Sequence, residues 1–515
     1  MDLNFLLNKA VKLHLRGKLD KAKEIYEKII KIDQNNLIAN ANLGAILNAK
    51  KNYQKALYFL EKALLIKPNY VEALSNKGNS LRGLNEHENA LKLYDQALNI
   101  QPDFIDALNN KGNCLKSLDL FNEAIKIYNQ ILLLKPNFVD ALYNQGICFY
   151  STGNFDKAIN NYNKAIEFDP KFIDAYYNLG RCFHSTGNFD KAINNYNKVI
   201  EFDPEFIDAH YNLGILQLLK GNFKDGLKNY EWRKKRAPFK ENLKLIDENK
   251  EWDGNESLKN KEIFIYKEQG LGDYIQFCRY FKKLNDLGAK IILNAPKTLL
   301  PMISNMKIDV RILDENKISQ YDYCSSIASL PLVFNTDFNS IPQEIPYLFT
   351  PEVLKKKWNK KLGTKKIKKI GLKWTGNKTY LDDKYRSTNL KKIINLFGVS
   401  LDFHSLEIEY SNDDENLLKN IKNLYCHKNE IIGFDNTAGL IETMDLIITT
   451  DTSIAHLSGA LGKKVWIMLP FFPDHRWLLK TEYSPWYPTA KLYRQNKKND
   501  WESLISKIKE DLSLI

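Results

Sequence analysis

One period governs the first half of the chain. From Leu3 to about residue 240 the sequence repeats every 34 residues, with units beginning near Leu3, Leu37, Val71, Ile105, Val139, Ile173 and Ile207. The fifth and sixth units are almost copies, STGNFDKAINNYNKAIEFDPKFIDAYYNLG against STGNFDKAINNYNKVIEFDPEFIDAHYNLG. Each unit holds two short helical patterns. Gly44, Gly78, Gly112, Gly146, Gly180 and Gly214 share one phase, where a side chain would block close helix packing. Ala22, Ala56, Ala90, Ala124, Ala158 and Ala192 share another, again for close contact. Pro68, Pro102, Pro136, Pro170, Pro204 and Pro238 stop each second helix. The ends depart from the pattern, with Ala10 for glycine and Gln34 for proline in the first unit and Gly226 for alanine in the last. The tyrosines and phenylalanines recur at helical spacing and read as core.

This pattern resembles the tetratricopeptide repeat over about residues 3–240. The resemblance implies helix pairs stacked into an α superhelix, with the first helices lining a concave face. Asn42, Asn76, Asn110, Asn144, Asn178 and Asn212 occupy a further phase, two residues before the glycine. An amide has one acceptor and two donors, so a row of them can grip a peptide backbone without reading its sequence. The alternative is a residue copied by duplication that serves local helix contacts. The row is similar to the asparagine ladder of the nucleocytoplasmic O-linked N-acetylglucosamine transferases, where it holds protein substrates. The partner so implied is a protein or peptide on the repeat face.

Composition narrows the classes. Of 515 residues, 44% are hydrophobic and 27% charged, which excludes wholesale disorder. No apolar run nears 18 residues, and Val465 to Phe472 is strand-sized and broken by Pro470, so no membrane span is expected. The N-terminus lacks an h-region and reads as an amphipathic helix rather than a signal peptide. The net charge of +13 is spread along the chain with no nucleic-acid motif, so nucleic acid is not the expected partner. Cys114, Cys148, Cys182, Cys278, Cys324 and Cys426 form no C-x-x-C pair, and three recur as small repeat residues. Neither a metal site nor a disulfide framework is expected, and a reducing, cytoplasmic setting is.

After Pro238 the period ends. Residues 241–260 read as a polar connector packed through Trp252 on the next domain, with Trp232 just before it. From Lys261 short apolar strands alternate with helices: EIFIY (262–266), KIILN (290–294), DVRIL (309–313), IGLKW (370–374), LDFHSL (401–406), DLIIT (445–449) and KVWIML (464–469). Such alternation predicts doubly wound parallel sheets. The basic run Lys355 to Lys369 divides them into two Rossmann-like halves, 261–355 and 356–515, whose ligands would sit at the carboxyl ends of the strands.

Two strand-to-helix junctions carry candidate chemistry. In EQGLGDYIQFCRY, Gly270 and Gly272 bracket a tight turn and Asp273 opens a helix, either as a cap or as a functional carboxylate. In ITTDTSIAHLSGALGKKVWIML, Asp451, Thr452 and Ser453 precede a helix whose free N–H groups and hydroxyls suit a pyrophosphate. His456 could reach the same anion or pack in the core. Asp382–Asp383 and Asp413–Asp414 read as solvated loop pairs. In PDHRW, 473–477, His475 and Arg476 either touch a ligand or belong to a structural loop around Trp477, the reading preferred here. SPWYP, 484–488, is expected to pack the tail back on the first sheet.

Gly-x-Gly-Asp and Asp-Thr-Ser-x-x-His together resemble the heptosyltransferase-like glycosyltransferases of family nine over about 260–480. EQGLGD, GLKWTGN, DTSIAHLSGALGKKVW and SPWYP also look like a bacterial group that fuses tetratricopeptide repeats to such a domain. The resemblance implies a GT-B fold: an acceptor-side domain, 261–355, and a nucleotide-sugar-binding domain, 356–515. It implies Asp273 as general base, with Gly272, Asp451, Thr452, Ser453 and His456 around the donor diphosphate. Lys373 in GLKWTGN and Arg386 in DDKYRSTNL are the candidates to neutralise phosphate. It implies a metal-independent, inverting transfer from a nucleotide sugar, which is a substrate and not a cofactor. Two rival readings stand beside it: a non-catalytic repeat adaptor with a vestigial transferase domain, and a transferase acting on a glycan or lipid acceptor.

Overall fold

The computed structural model describes residues 2–237, 246–268, 270–313, 320–363, 367–379, 383–398 and 400–514. Pro238, the start of the expected connector, part of the basic run and Asp382 lie outside the described residues. The chain forms two compact units, Met1–Pro204 and Glu205–Ile515.

The first unit is six helix pairs. First helices run Leu3–Leu15, Leu37–Ala49, Val71–Gly83, Ile105–Ser117, Val139–Ser151 and Ile173–Ser185; second helices run Leu19–Ile32, Tyr53–Ile66, His87–Ile100, Phe121–Leu134, Phe155–Phe168 and Phe189–Phe202. The glycine phase has a physical cause. A Cβ on Gly78, Gly112, Gly146 or Gly180 would lie 2.5–2.7 Å from the ring of Tyr94, Tyr128, Tyr162 or Tyr196 of the second helix in its own pair. Gly44 faces Leu60 in the same way. The alanine phase is fully buried, as are Cys114, Cys148 and Cys182. A second period emerges from the backbone. Gly17, Lys51, Asn85, Asp119, Gly153, Gly187 and Gly221 all have positive φ and close the first helix of each pair in a left-handed turn. Lys51 occupies that conformation at φ 58° with a side chain ill suited to it.

The second unit opens with the seventh pair, Ile207–Leu219 and Phe223–Tyr230, which runs into the 3-10 turn Glu231–Lys235. A Cβ on Gly214 would lie 2.6 Å from the backbone nitrogen of Tyr230, so here backbone meets backbone. Two parallel sheets come next. The first contains β1 (Glu262–Tyr266), β2 (Lys290–Leu293), β3 (Val310–Ile312) and β4 (Tyr323–Ser326), in the order β3-β2-β1-β4. The second contains β5 (Lys369–Lys373), β6 (Asp402–Ser405), β7 (Leu424–Cys426), β8 (Leu446–Thr450), β9 (Val465–Leu469) and β10 (Ala490–Arg494), in the order β10-β9-β8-β5-β6-β7. Every pairing between these ten strands is parallel. Sequence patterning found seven of these strands and missed β4, β7 and β10. The order reverses beside β1 in one sheet and beside β5 in the other, and such switch points open ligand crevices at the carboxyl ends of the strands.

Side chains alternate between two cores. Ile447 joins a cluster that includes Leu218 and Phe223 of the seventh pair, Ile263 of the first sheet and Tyr487; Leu446 and Ile448 join the opposite cluster with Trp501 and Ile508. The basic segment is not a bare linker: Glu352–Leu362 is a helix that buries Trp358 against Gly439. Trp252 is buried, and its backbone N–H donates to the Cys324 carbonyl at 2.8 Å on the edge of β4. One member of each acidic pair is corrected, while Asp413 is exposed. Asp383, at the start of the helix Asp383–Arg386, is buried against Arg386 and Ser387, and Asp414, in the helix Asn412–Leu418, is buried and accepts from the Leu390 N–H at 3.2 Å. No helix among the described residues is long and apolar enough to cross a membrane.

A buried ion network holds the seventh pair to the first sheet. Arg233, 2% exposed, donates through Nε and Nη2 to both oxygens of Glu268 at 2.8 and 2.6 Å. Glu268 lies just past β1. The same guanidinium reaches Glu231 at 2.5 Å and Ser329 beyond β4 at 2.9 Å.

Gly146→Ala should destabilise the full chain by about 1–3 kcal/mol through overpacking on Tyr162, where helix propensity alone would give a gain of about 1 kcal/mol. Lys51→Gly should stabilise it by up to about 1 kcal/mol by relieving the left-handed turn. Thermal melts read both signs. Arg233→Met should cost about 3–5 kcal/mol in urea unfolding because it leaves Glu268 buried and unpaired, and the double variant with Glu268→Leu should recover much of that loss.

Candidate functional site

The two motif helices meet. Leu271–Phe277 follows β1 through Gly270, whose φ of 95° only glycine adopts at low cost. Ser453–Ala460 follows β8. A Cβ on Gly272 would lie 2.9 Å from His456 Cδ2, so the absence of a side chain there lets the first helix abut the second. The structure therefore brings Gly272, Asp273, Asp451, Thr452, Ser453 and His456 together.

Asp273 is the third residue of its helix, and its carboxylate is paired with the Arg476 guanidinium. Arg476 also donates to Asp474 at 2.6 Å. Burial pushes the Asp273 carboxyl up to about 6, with Arg476 opposing and Asp474 and Glu268 adding to the rise. Asp451, buried at the end of β8, is likewise raised to about 6 by burial and then by Asp474. Burial would raise Asp474 as well, but Arg476 and His475 outweigh it and hold that carboxyl well below its usual range.

Thr452 caps the second helix, its Oγ1 accepting from the Ile454 N–H at 3.3 Å and lying 3.1 Å from Thr449 Oγ1. Ser453 is half-buried at the first helical position. His456 is a packed histidine. Its Nδ1 lies 2.9 Å from the Tyr487 hydroxyl and its ring stacks on Trp477 at 5.2 Å. Burial, with Arg476 nearby, lowers its pKa to about 3, and burial lowers His475 to about 4. Both rings are neutral at pH 7.

The two expected phosphate cations have carboxylate partners. Lys373, at the end of β5, is ion-paired with Glu407, which is 1% exposed. Glu407 also accepts from the Trp374 and Thr375 N–H groups at 2.8 Å and the Thr375 hydroxyl at 2.7 Å, fixing the loop after β5. Arg386 donates to Asp383 at 3.1 Å, and the Gly376 N–H donates to Ser387 at 2.7 Å beside it. Both cations lie at the β5 side of the switch point, and Arg386 is close enough to lower Asp451 and His456.

Most of the asparagine row bonds side chains of the preceding repeat. The Asn42 amide donates to the Tyr26 hydroxyl at 3.1 Å, Asn110 to Ser75 at 3.3 Å, and Asn178 to the Tyr143 hydroxyl at 3.0 Å. The Asn144 side-chain carbonyl accepts from Lys116 at 2.6 Å. Asn178 is buried, and Asn76 is half-buried. Asn212, half-buried, belongs to the second unit.

Sequence reasoning missed Glu407, the Arg233–Glu268 pair and the weight of Arg476. In the sequence Arg476 stood past β9 as a candidate either for ligand contact or for a structural loop around Trp477. Nothing local pairs it with an aspartate 203 positions earlier. SPWYP does pack toward the first sheet, with the Trp486 carbonyl accepting from Arg279 at 2.7 Å.

Family models of the tetratricopeptide repeat match residues 4–36, 36–103, 105–138, 148–187 and 180–221. No curated protein matches the chain. Similar solved structures include YrrB, titled a tetratricopeptide-repeat protein with an unusual peptide-binding site, at 24% identity over 36% of this chain and 96% of that one, TM-score 0.31. A thermophilic repeat protein of Thermus thermophilus is 20% identical over 35% and 99%, TM-score 0.32. A repeat protein of Parabacteroides merdae is 22% identical over 47% and 98%, TM-score 0.37. The family matches and the helix pairs agree: the N-terminal 220 or so residues are tetratricopeptide repeats, a scaffold for protein–protein interaction, joined to a region of parallel sheets and helices.

Proposed function

We propose that the second unit is a GT-B glycosyltransferase that moves a sugar from a nucleotide-diphosphate donor to an acceptor hydroxyl, and that the repeats recruit a protein acceptor. The observation that supports it is Asp273 at the end of one doubly wound sheet, beside the helix start Asp451–Thr452–Ser453 at the end of the other. A sheet of this kind takes its ligand at the carboxyl ends of its strands beside the switch point, so two such sheets suit a donor on one and an acceptor on the other.

The chemistry follows from those groups. Asp273 takes the proton of the acceptor hydroxyl, whose oxygen attacks the anomeric carbon as the bond to the diphosphate breaks. The diphosphate leaves with the electron pair, and a single displacement inverts the anomeric centre. Ser453, the backbone N–H groups of its helix start and the β5 loop are the groups suited to bind the diphosphate. Lys373 acts there through Glu407, by fixing the loop. A second reading, the non-catalytic adaptor, draws on the Arg476 guanidinium that sits on Asp273.

Calorimetry of the full chain with UDP, ADP, GDP and their sugars separates the two. One of them should bind, and Ser453→Ala with Thr452→Ala should weaken it. Binding of none favours the adaptor. Asp273→Asn should lower transfer about 10²–10⁴-fold and leave donor affinity within about twofold. Because the base must be ionised and its pKa is raised to about 6, the rate should rise with pH through about 6 and level off above it. A variant as active as the wild type, or a rate flat between pH 5 and 7, would move the base elsewhere.

A further inference from the structure

Three cations stand on the first helices of the repeats with no acid to hold them. In the fourth pair Asp106, Asn110, Asn113 and Lys116 follow at i, i+4, i+7 and i+10, which puts them on one face of the helix. The same positions recur in the neighbouring pairs, and bonds join the faces from one first helix to the next: Asn110 to Ser75, Lys116 to Asn144 and Asn178 to Tyr143. Two rows of charge result, separated by about 15 Å along each helix. Glu72, Asp106, Asp140 and Asp174 form an acidic row that is exposed and solvated. The basic row is half-buried. Arg82 and Lys116 hold it in the third and fourth pairs. Tyr150 takes the position in the fifth, and the Arg181 guanidinium of the sixth lies over that ring, 4.6 Å from its centroid, so its charge stands in the same row.

The three cations have neutral partners. Lys116 donates to the Asn144 side-chain carbonyl at 2.6 Å and Arg181 to that of Asn178 at 3.1 Å, while the Nε of Arg82 is buried with no hydrogen-bond partner among the described residues. The lysines that do meet acids point elsewhere: Lys77 pairs with Glu61 at 3.0 Å and Lys111 with Asp95 at 2.6 Å, each on the second helix of a pair. Burial lowers the pKa of Lys116, and the nearby Arg82 adds to the fall. Packing does not require the charge. Asn48 fills the row position in the second pair and bonds to Ser80 and to the Asn76 carbonyl. Half-buried like charges without an acid are costly, and carboxylates arriving among them would remove that cost.

The spacing selects the occupant. Helices packed side by side lie about 8–10 Å apart, so three charges in successive places span about 16–20 Å. A small anion cannot bridge that length. An extended chain advances about 3.3 Å per residue and meets one cation about every three residues. A single nucleic-acid strand would also need open aromatic faces for its bases, and Tyr150 already carries Arg181 on its ring. We propose that the first-helix face of the third to sixth pairs is a docking surface for an extended acidic segment of a partner protein, whose carboxylates, about three residues apart, pair with Arg82, Lys116 and Arg181. The inference deepens the recruiting role given to the repeats and rests on it, but it does not depend on sugar transfer.

Fluorescence anisotropy of the full chain with labelled acetyl-ESGESGESG-amide reads this surface. The peptide should bind, and its counterpart with glutamine for glutamate should bind at least about tenfold more weakly. Arg82→Gln, Lys116→Gln and Arg181→Gln together should weaken the acidic peptide at least about tenfold, while Lys116→Arg should hold its affinity within about twofold. The triple variant should melt near the wild-type temperature; should it fail to fold, Lys116→Gln alone should still weaken the peptide about threefold. No binding of the acidic peptide overturns the inference, as does an affinity that survives removal of the charges or tighter binding of a nine-residue oligothymidylate. Equal binding of the two peptides overturns the acidic assignment and leaves recruitment standing. A chain that binds the acidic peptide but no nucleotide sugar keeps this surface and loses the transferase.

Discussion

The Arg233–Glu268 pair is the contact on which the second unit depends. Taking two charges out of water is expensive, and their mutual attraction offsets that cost only with near-ideal geometry and further hydrogen bonds. Both conditions hold. The guanidinium faces the carboxylate through two parallel bonds, and Glu231 and Ser329 occupy donors that remain. Because Glu268 lies just past β1 and Ser329 just past β4, the network fastens the seventh pair to the carboxyl ends of those two strands. The helical pair thereby stops being the end of a repeat array and becomes a wall of an α/β domain.

Charge around Arg476 is likewise set by how few partners there are. Three carboxylates, Asp273, Asp451 and Asp474, lie around Arg476, and two nearby histidines are neutral. One guanidinium cannot satisfy three carboxylates, so burial raises two of them toward 6 while Asp474 keeps the strongest hold on the cation. A carboxyl raised in this way is suited to accepting a proton near neutral pH. Lys373 and Arg386 are each bonded to an acid, so the β5 loop presents ordered backbone and hydroxyl groups more than bare positive charge.

The repeats were legible because their constraints are local. Gly146 must be glycine since Tyr162 sits over it, and both belong to one helix pair within one period. The strands read best where apolar runs were continuous, as in EIFIY and DLIIT. β4 escaped because YCSS carries small polar residues that only packing against the rest of the unit buries, and β7 because LYC is a short edge. The left-handed residue of each pair was hidden by its variable identity: Gly, Lys, Asn and Asp all serve. Asp383 and Asp414 looked solvated because both sit in polar stretches whose short helices no apolar pattern marks.

By itself the sequence determined the period, the helix pairs, the parallel α/β character of the second half and the two glycine- and hydroxyl-bearing junctions. Each is written in spacing or in residue types with few conformational options. Tertiary structure alone decided that the junctions meet at Gly272, that Arg476 stands at Asp273, and that the seventh pair is fastened to the first sheet through Arg233 and Glu268. The reason is physical: ion pairs depend on distances between segments far apart in the chain, and those distances are set by how two sheets and a helix pair pack, not by any local preference of the chain.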